Sequence, residues 1–357
     1  MTVHYQLDGR RATVRLDRPD VLNALNRETL DGIADAFHRA AADQRVGVVV
    51  LTGTGERAFC TGADLDEQEQ FLVRPSDYWT WMGHFIAAVD AIRDCPKPVV
   101  ARLNGMTVGG GNELNLACDL AVAADDIVLR HVGPSRGSVP AGGATQWMPL
   151  VVGDRRAREV LLLNRPVSAR TALEWGWVNR VVPRAELDAA VDELCADLLA
   201  KMPEIVRATK AQLHFWKDLS WALTIRHARE WLTIHAASEE VAEGLDSFRA
   251  KRPPDYERLR AALEAGARRG APCPSCGRSD RPQDAAFCPY CGTKLSAPPN
   301  PGADADGEPG MSDPGEGGTG GAGEGDTDLG AAGERDAELG GAGEGEPGVG
   351  HPEIHDA

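Results

Sequence analysis

Two groups of residues in this chain have the types and spacing that chemistry needs. The first is Gly109-Gly110-Gly111 followed by Glu113, inside "NGMTVGGGNELNLACD" at residues 104–119. Glycines ahead of a helix start let backbone N–H groups face outward with no Cβ in the way, and the helix end adds positive potential. Such a cradle suits a phosphate or the developing oxyanion of a carbonyl. No lysine followed by serine or threonine stands at P-loop spacing, so the oxyanion use is the stronger reading. A neighbouring acid would then move a proton or orient water. One loop seldom supplies every donor. "GERAFCTGADLDE" at residues 55–67 offers a second, because an apolar strand ends there in a turn where Gly62-Ala63-Asp64 can present an amide.

The second group is Cys273, Cys276, Cys288 and Cys291, a CxxC…CxxC with eleven residues between the pairs. Each pair encloses a proline and is followed by glycine, Gly277 and Gly292. Four thiolates in two such turns fit one tetrahedral zinc ion and leave no open position on it, so the expected metal is structural and not catalytic. Disulfides are the alternative, and they fit poorly with a cytoplasmic chain. The stretch resembles small zinc-ribbon modules. Cys60, Cys95, Cys118 and Cys195 are scattered in apolar surroundings and read as core residues.

The elements that must position these groups are legible as alternation. "RATVRLD" has the period of a half-buried strand, and "ETLDGIADAFHRAAAD" puts Leu30, Ile33, Ala34, Phe37 and Ala41 on one helical stripe. "VGVVVLTG" is a continuous apolar run of the kind buried on both faces, "KPVVARLNG" repeats it, and "DLAVAADDIVLR" reads as two more short strands. This β/α alternation predicts an α/β core over residues 1–200. Residues 201–262 read as helical and too apolar to stand alone, so they must pack on the core or on another subunit. Residues 270–297 hold the cysteine module. Residues 298–357 are Gly, Glu, Asp, Ala and Pro with three related ten-residue units, and read as a disordered tail.

Charge narrows the partners. The chain carries a net −16, and the tail, with 15 acids against Arg335, supplies all but −2 of it. A near-neutral body gives no electrostatic case for nucleic acid or an anionic membrane surface. With no signal-like N-terminus and no membrane-length apolar run, the expected location is cytoplasmic.

"LDRPDVLNALN", "RAFCTGADL", the triple-glycine block, "ALEWGWVNRVVP" and "SEEVAEGLDSFRAKRPPDY" together resemble the crotonase family of enoyl-CoA hydratases and isomerases, in order over about residues 3–257. The resemblance implies a spiral of ββα turns with a helical trimerisation section, hence a homotrimer or hexamer. It implies an acyl-CoA substrate, no redox cofactor, and two backbone amides, Ala63 and Gly110, holding the thioester oxygen. Glu113 corresponds to the first of two glutamates used by hydratases. For CoA it points to the backbone of Ala63, Asp64 and Leu65, with Lys251 as a candidate for phosphate. The zinc ribbon is the expected route to any protein partner.

The second hydratase glutamate is missing. Aligned on Gly137 and Pro140, its position holds Gly133, and no carboxylate stands between Asp126 and Asp154. Gly133-Pro134 and Gly137-Ser138 resemble the branch with dihydroxynaphthoyl-CoA synthase and cyclic ketoacyl-CoA hydrolases, although that synthase has an aspartate at Pro140 and lacks the acid matching Glu113. A glycine there is expected to leave room for water, an anion or a larger acyl group. Ser138, His131, Arg136 and His84 are the candidates for the missing proton transfer. Tyr78, Trp79, Trp81 and Phe85 suggest a broad apolar pocket for a cyclic acyl group, or plain core packing. The leading expectation is hydration or dehydration of an enoyl-CoA. The alternatives are hydrolytic ring cleavage of a cyclic β-ketoacyl-CoA, a related synthase, or a catalytically weakened acyl-CoA-binding scaffold.

Overall fold

In chain order the elements are β1 (Val3–Asp8), β2 (Arg11–Leu16), α1 (Arg27–Ala42), β3 (Val48–Gly53), β4 (Ala58–Cys60), α2 (Leu65–Val73), α3 (Pro75–Arg93), β5 (Val99–Leu103), β6 (Met106–Val108), α4 (Gly110–Ala117), β7 (Leu120–Ala124) and β8 (Val128–Arg130). There follow α5 (Ala144–Val152), α6 (Asp154–Leu163), β9 (Val167–Ser168), α7 (Ala169–Glu174), β10 (Arg180–Val182), α8 (Leu187–Leu199), α9 (Pro203–Leu213), α10 (Phe215–His235), α11 (Glu239–Arg249) and α12 (Tyr256–Glu264). The computed structural model describes residues 1–264, 272–278, 287–288 and 290–295; the tail expected to be disordered, 298–357, lies outside them.

The strands divide between a six-stranded sheet, β1-β2-β3-β5-β7-β10, and a four-stranded sheet, β4-β6-β8-β9. Three successive turns, starting at β3, β5 and β7, each lay a strand in the large sheet, then a short strand (β4, β6, β8) in the small one, then helix. The sequence pattern explains the large sheet: β3 is buried at every position and lies parallel to β2 and β5, so it needs apolar residues on both faces. Helix α1 covers one face with Leu30, Ile33, Ala34 and Phe37 as expected, but Ala40 and not Ala41 completes the buried stripe. Burying a side chain such as Leu30 or Phe37 contributes about 1.5–3 kcal/mol. The Asn26 side chain starts the helix by accepting from the Thr29 amide at 2.9 Å.

Two buried asparagines make the crossing from one sheet to the other. Asn104 accepts from the Gly53 amide at 3.1 Å and donates to the Gly55 carbonyl at 2.7 Å. Asn23 donates to the Thr54 and Ala58 carbonyls at 3.1 and 2.9 Å. The corner is tight: a Cβ on Gly105 would lie 2.4 Å from the Ala58 nitrogen. Because β4 and β6 then run parallel, with Cys60 opposite Thr107, the glycine turns that follow them come to the same place.

The C-terminal helices pack back on this core. Helix α10 lies against α3 and α5, and α11 lies against α2 and the 3-10 turn Pro134–Arg136. On α9 and α10, Ile205, Leu213, Phe215, Trp216, Leu223 and Ile234 are each more than half exposed. No described helix is long and apolar enough to cross a membrane.

Candidate active site and cysteine module

The two glycine turns meet. Gly62, at φ +89°, sits so close to the other loop that a Cβ on it would stand 3.0 Å from the Gly110 nitrogen and 3.2 Å from the Val108 carbonyl. The Gly62 carbonyl accepts from Leu25 at 2.8 Å, and Asp64 donates to the Leu25 carbonyl at 3.0 Å. Ala63 lies between them, and its amide meets no backbone carbonyl among the described residues. The Gly110 amide, first in α4, is likewise without one. The arrangement therefore brings together two unpaired N–H groups from separate loops, with Phe85 and Leu25 forming the wall over Gly110.

Glu113 lies one turn into α4 and is 6% exposed, not a solvated surface acid. Its carboxylate accepts from the Gly142 amide at 2.7 Å and from the Ala144 amide at 3.3 Å. Burial pushes the carboxyl up to about 7, although the Ala144 and Gly142 amides pull the other way. Both protonation states are thus available near neutral pH.

The other candidates scatter. His84 is turned toward α1, where its Nδ1 pairs with Asp31 at 2.5 Å. His131 is fully buried and stacked on Trp177, neither ring nitrogen has a partner among the described residues, and burial pushes it down to about 3; it is a neutral packing residue. Lys251 is exposed beyond α11 and pairs with no carboxylate among the described residues. Asp64 caps α2 at the Asp66 amide, 3.0 Å away, and is held by Arg18 at 2.8 Å; Leu65 begins that helix. Trp79 does not join its expected cluster, being 38% exposed under the Arg229 guanidinium. Phe71 takes its place. The rings of Phe71, Tyr78, Trp81 and Phe85 follow one another at centroid distances of 4.9, 5.8 and 5.5 Å.

Gly133 departs from its expectation too. A Cβ there would lie 2.8 Å from the Ser138 carbonyl and 2.9 Å from Pro140 Cδ, so the missing side chain leaves no vacancy. The loop has folded inward, with the Ser138 amide donating to the Gly133 carbonyl at 2.9 Å. Ser138 faces the Tyr78 phenol. Burial pushes that phenol up to about 12; the Ser138 hydroxyl opposes the shift and the charge of Glu113 adds to it. Both hydroxyls line a cleft walled by Phe71, Leu232, Ala236 and Val241. Asn23, Asn104, Gly142 and Ala144 carry roles not expected from the sequence, although Asn23 stands in "LDRPDVLNALN" and Asn104 in "NGMTVGGGNELNLACD".

The amino-acid sequence matches the enoyl-CoA hydratase/isomerase family over residues 10–259. The chain belongs to that family. Among solved structures, an enoyl-CoA hydratase from Mycobacterium avium subsp. paratuberculosis K-10 is 30% identical, with 71% of this chain and 98% of that one covered at a TM-score of 0.65. An enoyl-CoA hydratase from Bacillus anthracis is 29% identical over the same shares at a TM-score of 0.59. An enoyl-CoA hydratase/isomerase from Pseudoalteromonas atlantica T6c is 26% identical, covering 71% and 99% at a TM-score of 0.64. The crotonase match ends before the cysteine module, which is an addition to the family's domain.

In that module Cys273 and Cys288 start two equivalent turns. Gly277 donates to the Cys273 carbonyl at 2.8 Å and Gly292 to the Cys288 carbonyl at 2.9 Å, with φ of +72° and +71° at the glycines. The four Sγ atoms lie within 4.8 Å of one another, and the Cys273–Cys291 and Cys276–Cys288 pairs are each 3.6 Å apart. Zinc–sulfur bonds of about 2.3 Å in a tetrahedron require edges of about 3.8 Å. The donor set fits a zinc ion.

Proposed function

We propose that this crotonase is an acyl-CoA-processing enzyme that hydrates an enoyl-CoA or dehydrates the corresponding 3-hydroxyacyl-CoA. The observation that carries the reading is the buried Glu113 carboxylate, fixed by two amides beside the unpaired Ala63 and Gly110 N–H groups. In this mechanism the thioester oxygen accepts from Ala63 and Gly110. Glu113 takes a proton from water as the water oxygen bonds to Cβ, negative charge passes to the thioester oxygen, and the same carboxyl returns the proton to Cα. The backbone about Ala63, Asp64 and Leu65 holds the CoA. Incubating the purified chain with panels of enoyl-CoA and cyclic β-ketoacyl-CoA thioesters, and weighing the products, tests it.

A second reading is hydrolytic C–C cleavage of a cyclic β-ketoacyl-CoA. It is favoured by the loop closed over Gly133 and by the neutral hydroxyl pair of Tyr78 and Ser138, donors suited to a ketone oxygen. Here Glu113 takes a proton from water as the oxygen bonds to the ketone carbon, the ring C–C electrons leave as the thioester enolate held by Ala63 and Gly110, and Glu113 returns the proton to the enolate α-carbon, giving an open-chain carboxylic acid and the thioester. Ser138 holds the ketone oxygen.

Structural zinc on Cys273, Cys276, Cys288 and Cys291 organises the added module, and the exposed apolar residues of α9 and α10 make the contact between copies in a homotrimer or hexamer.

A further inference from the structure

The cleft lined by Tyr78 and Ser138 also contains a cation, Arg136, that has no carboxylate partner among the described residues. Arg136 is half-buried, lies 4.5 Å over the Phe248 ring, and spends one N–H on its neighbour's carbonyl, that of Ser135, at 3.0 Å. No carboxylate among the described residues pairs with it. Three half-buried arginines elsewhere are matched, Arg18 with Asp64 at 2.8 Å, Arg102 with Asp188 at 2.7 Å, and Arg184 with Asp126 at 2.7 Å, whereas half-buried Arg229 rests on the Trp79 carbonyl and ring outside this cleft. A second cation, Arg130, adds to its cost. Arg130 also pairs with no carboxylate among the described residues, using its Nε on the Asn164 carbonyl at 2.7 Å, and burial together with Arg130 pushes the Arg136 guanidinium below its usual range. A guanidinium taken partly out of water without a counter-ion is costly, and an incoming anion relieves the cost with paired, charge-assisted hydrogen bonds.

Position says where the anion would belong. Arg136 lines the same cleft as Tyr78 and Ser138, and Tyr78 is near enough to feel the charge of Glu113. The space between is bounded by Phe71, Leu232 and Val241, walls suited to methylene groups, while Gln68 adds a polar group to the lining.

We propose that this cleft is the acyl subsite and that Arg136 binds a carboxylate at the far end of the acyl group, making ω-carboxyacyl-CoA thioesters the preferred ligand class. The inference rests on the acyl-CoA reading above.

Calorimetric titration of the full chain with saturated thioesters in matched pairs tests it: glutaryl- against pentanoyl-CoA, adipoyl- against hexanoyl-CoA, and pimeloyl- against heptanoyl-CoA. At least one carboxylated member should bind tenfold or more tighter than its methyl-ended partner. Arg136→Gln should erase that difference and leave the methyl-ended thioester within twofold of its original affinity. If that variant fails to fold, Arg136→Lys, which keeps the charge but loses the planar fork, should reduce the preference. Equal or weaker binding of all three carboxylated members would overturn the proposal. So would a variant that weakens both members of a pair alike, since the guanidinium would then be reading the CoA phosphates. If neither member of any pair binds, it is the acyl-CoA reading that fails.

Discussion

A Cβ built on Gly62 would stand 3.0 Å from the amide nitrogen of Gly110, although 48 positions separate the two in the chain. The parallel pairing of β4 with β6 creates this approach, and it is what sets two unpaired amides side by side. Gly110→Ala puts a methyl 3.2 Å from Phe85 and 3.3 Å from Leu25, on the face a thioester would use. The N–H stays, but the methyl should crowd the thioester off it, so we expect kcat/KM to fall by about 10²-fold, the scale of one spoiled oxyanion contact, while the thermal midpoint moves little. Gly62→Ala is the contrasting case: φ of +89° strains any side chain, and we expect a stability loss of about 1–3 kcal/mol in denaturant titrations.

Glu113→Gln keeps an acceptor for the Gly142 and Ala144 amides and removes the titrating group. Turnover should fall by about 10²–10⁴-fold with CoA thioester affinity largely retained. In the wild type, kcat/KM for hydration should decline as pH drops through about 7, where the carboxylate becomes protonated. Near-normal rates for the variant would falsify the acid–base role.

The same group makes a stability prediction of opposite sense to the usual carboxylate. Its folded pKa is raised from 4.5 to about 7, so the native state binds more protons than the unfolded chain between those values. Its contribution is therefore greatest at low pH and is lost as pH rises through the window, by on the order of 3 kcal/mol at most. Relative to wild type, Glu113→Gln should gain stability as pH rises from 5 to about 7 and level off above it in parallel melts.

Metal analysis of purified protein should find one zinc per chain. Cys276→Ser should lower that occupancy sharply without changing turnover, because four cysteines leave no coordination position for substrate. Deleting residues 298–357 should also leave turnover unchanged. A large loss in either variant would tie the C-terminal additions to the active site.

The apolar face of α9 and α10 predicts self-association. Trp216→Asp together with Leu223→Asp should shift light-scattering mass toward the single chain, since both side chains are largely exposed in one copy.

Much of the candidate site was legible because glycine runs and a lone acid point to backbone chemistry. Ala63, Gly110 and Glu113 could be named from spacing and family likeness, and the folded chain brings their loops together. The support of Glu113 was not legible. Gly142 and Ala144 contribute main-chain amides about thirty positions away, and a main-chain donor leaves no trace in residue type. Gly133 misled for a related reason: deleting a side chain in the alphabet does not reveal whether backbone closes over the gap. His84 needed the packing of α1 on α3 before Asp31 could claim it. Trp79 is different, since helical phase alone separates it from Tyr78, Trp81 and Phe85, and periodicity applied within α3 would have excluded it.

The amide at position 63 has a consequence for how substitution touches this protein. Nineteen of the twenty amino acids carry the same N–H there, so most exchanges at Ala63 alter bulk without deleting the donor; proline alone removes it. A saturation library scored for turnover should thus show a permissive column at 63 broken at one letter, beside a column at 110 that tolerates almost none. The most exacting contact would then be the one least visible in residue identity.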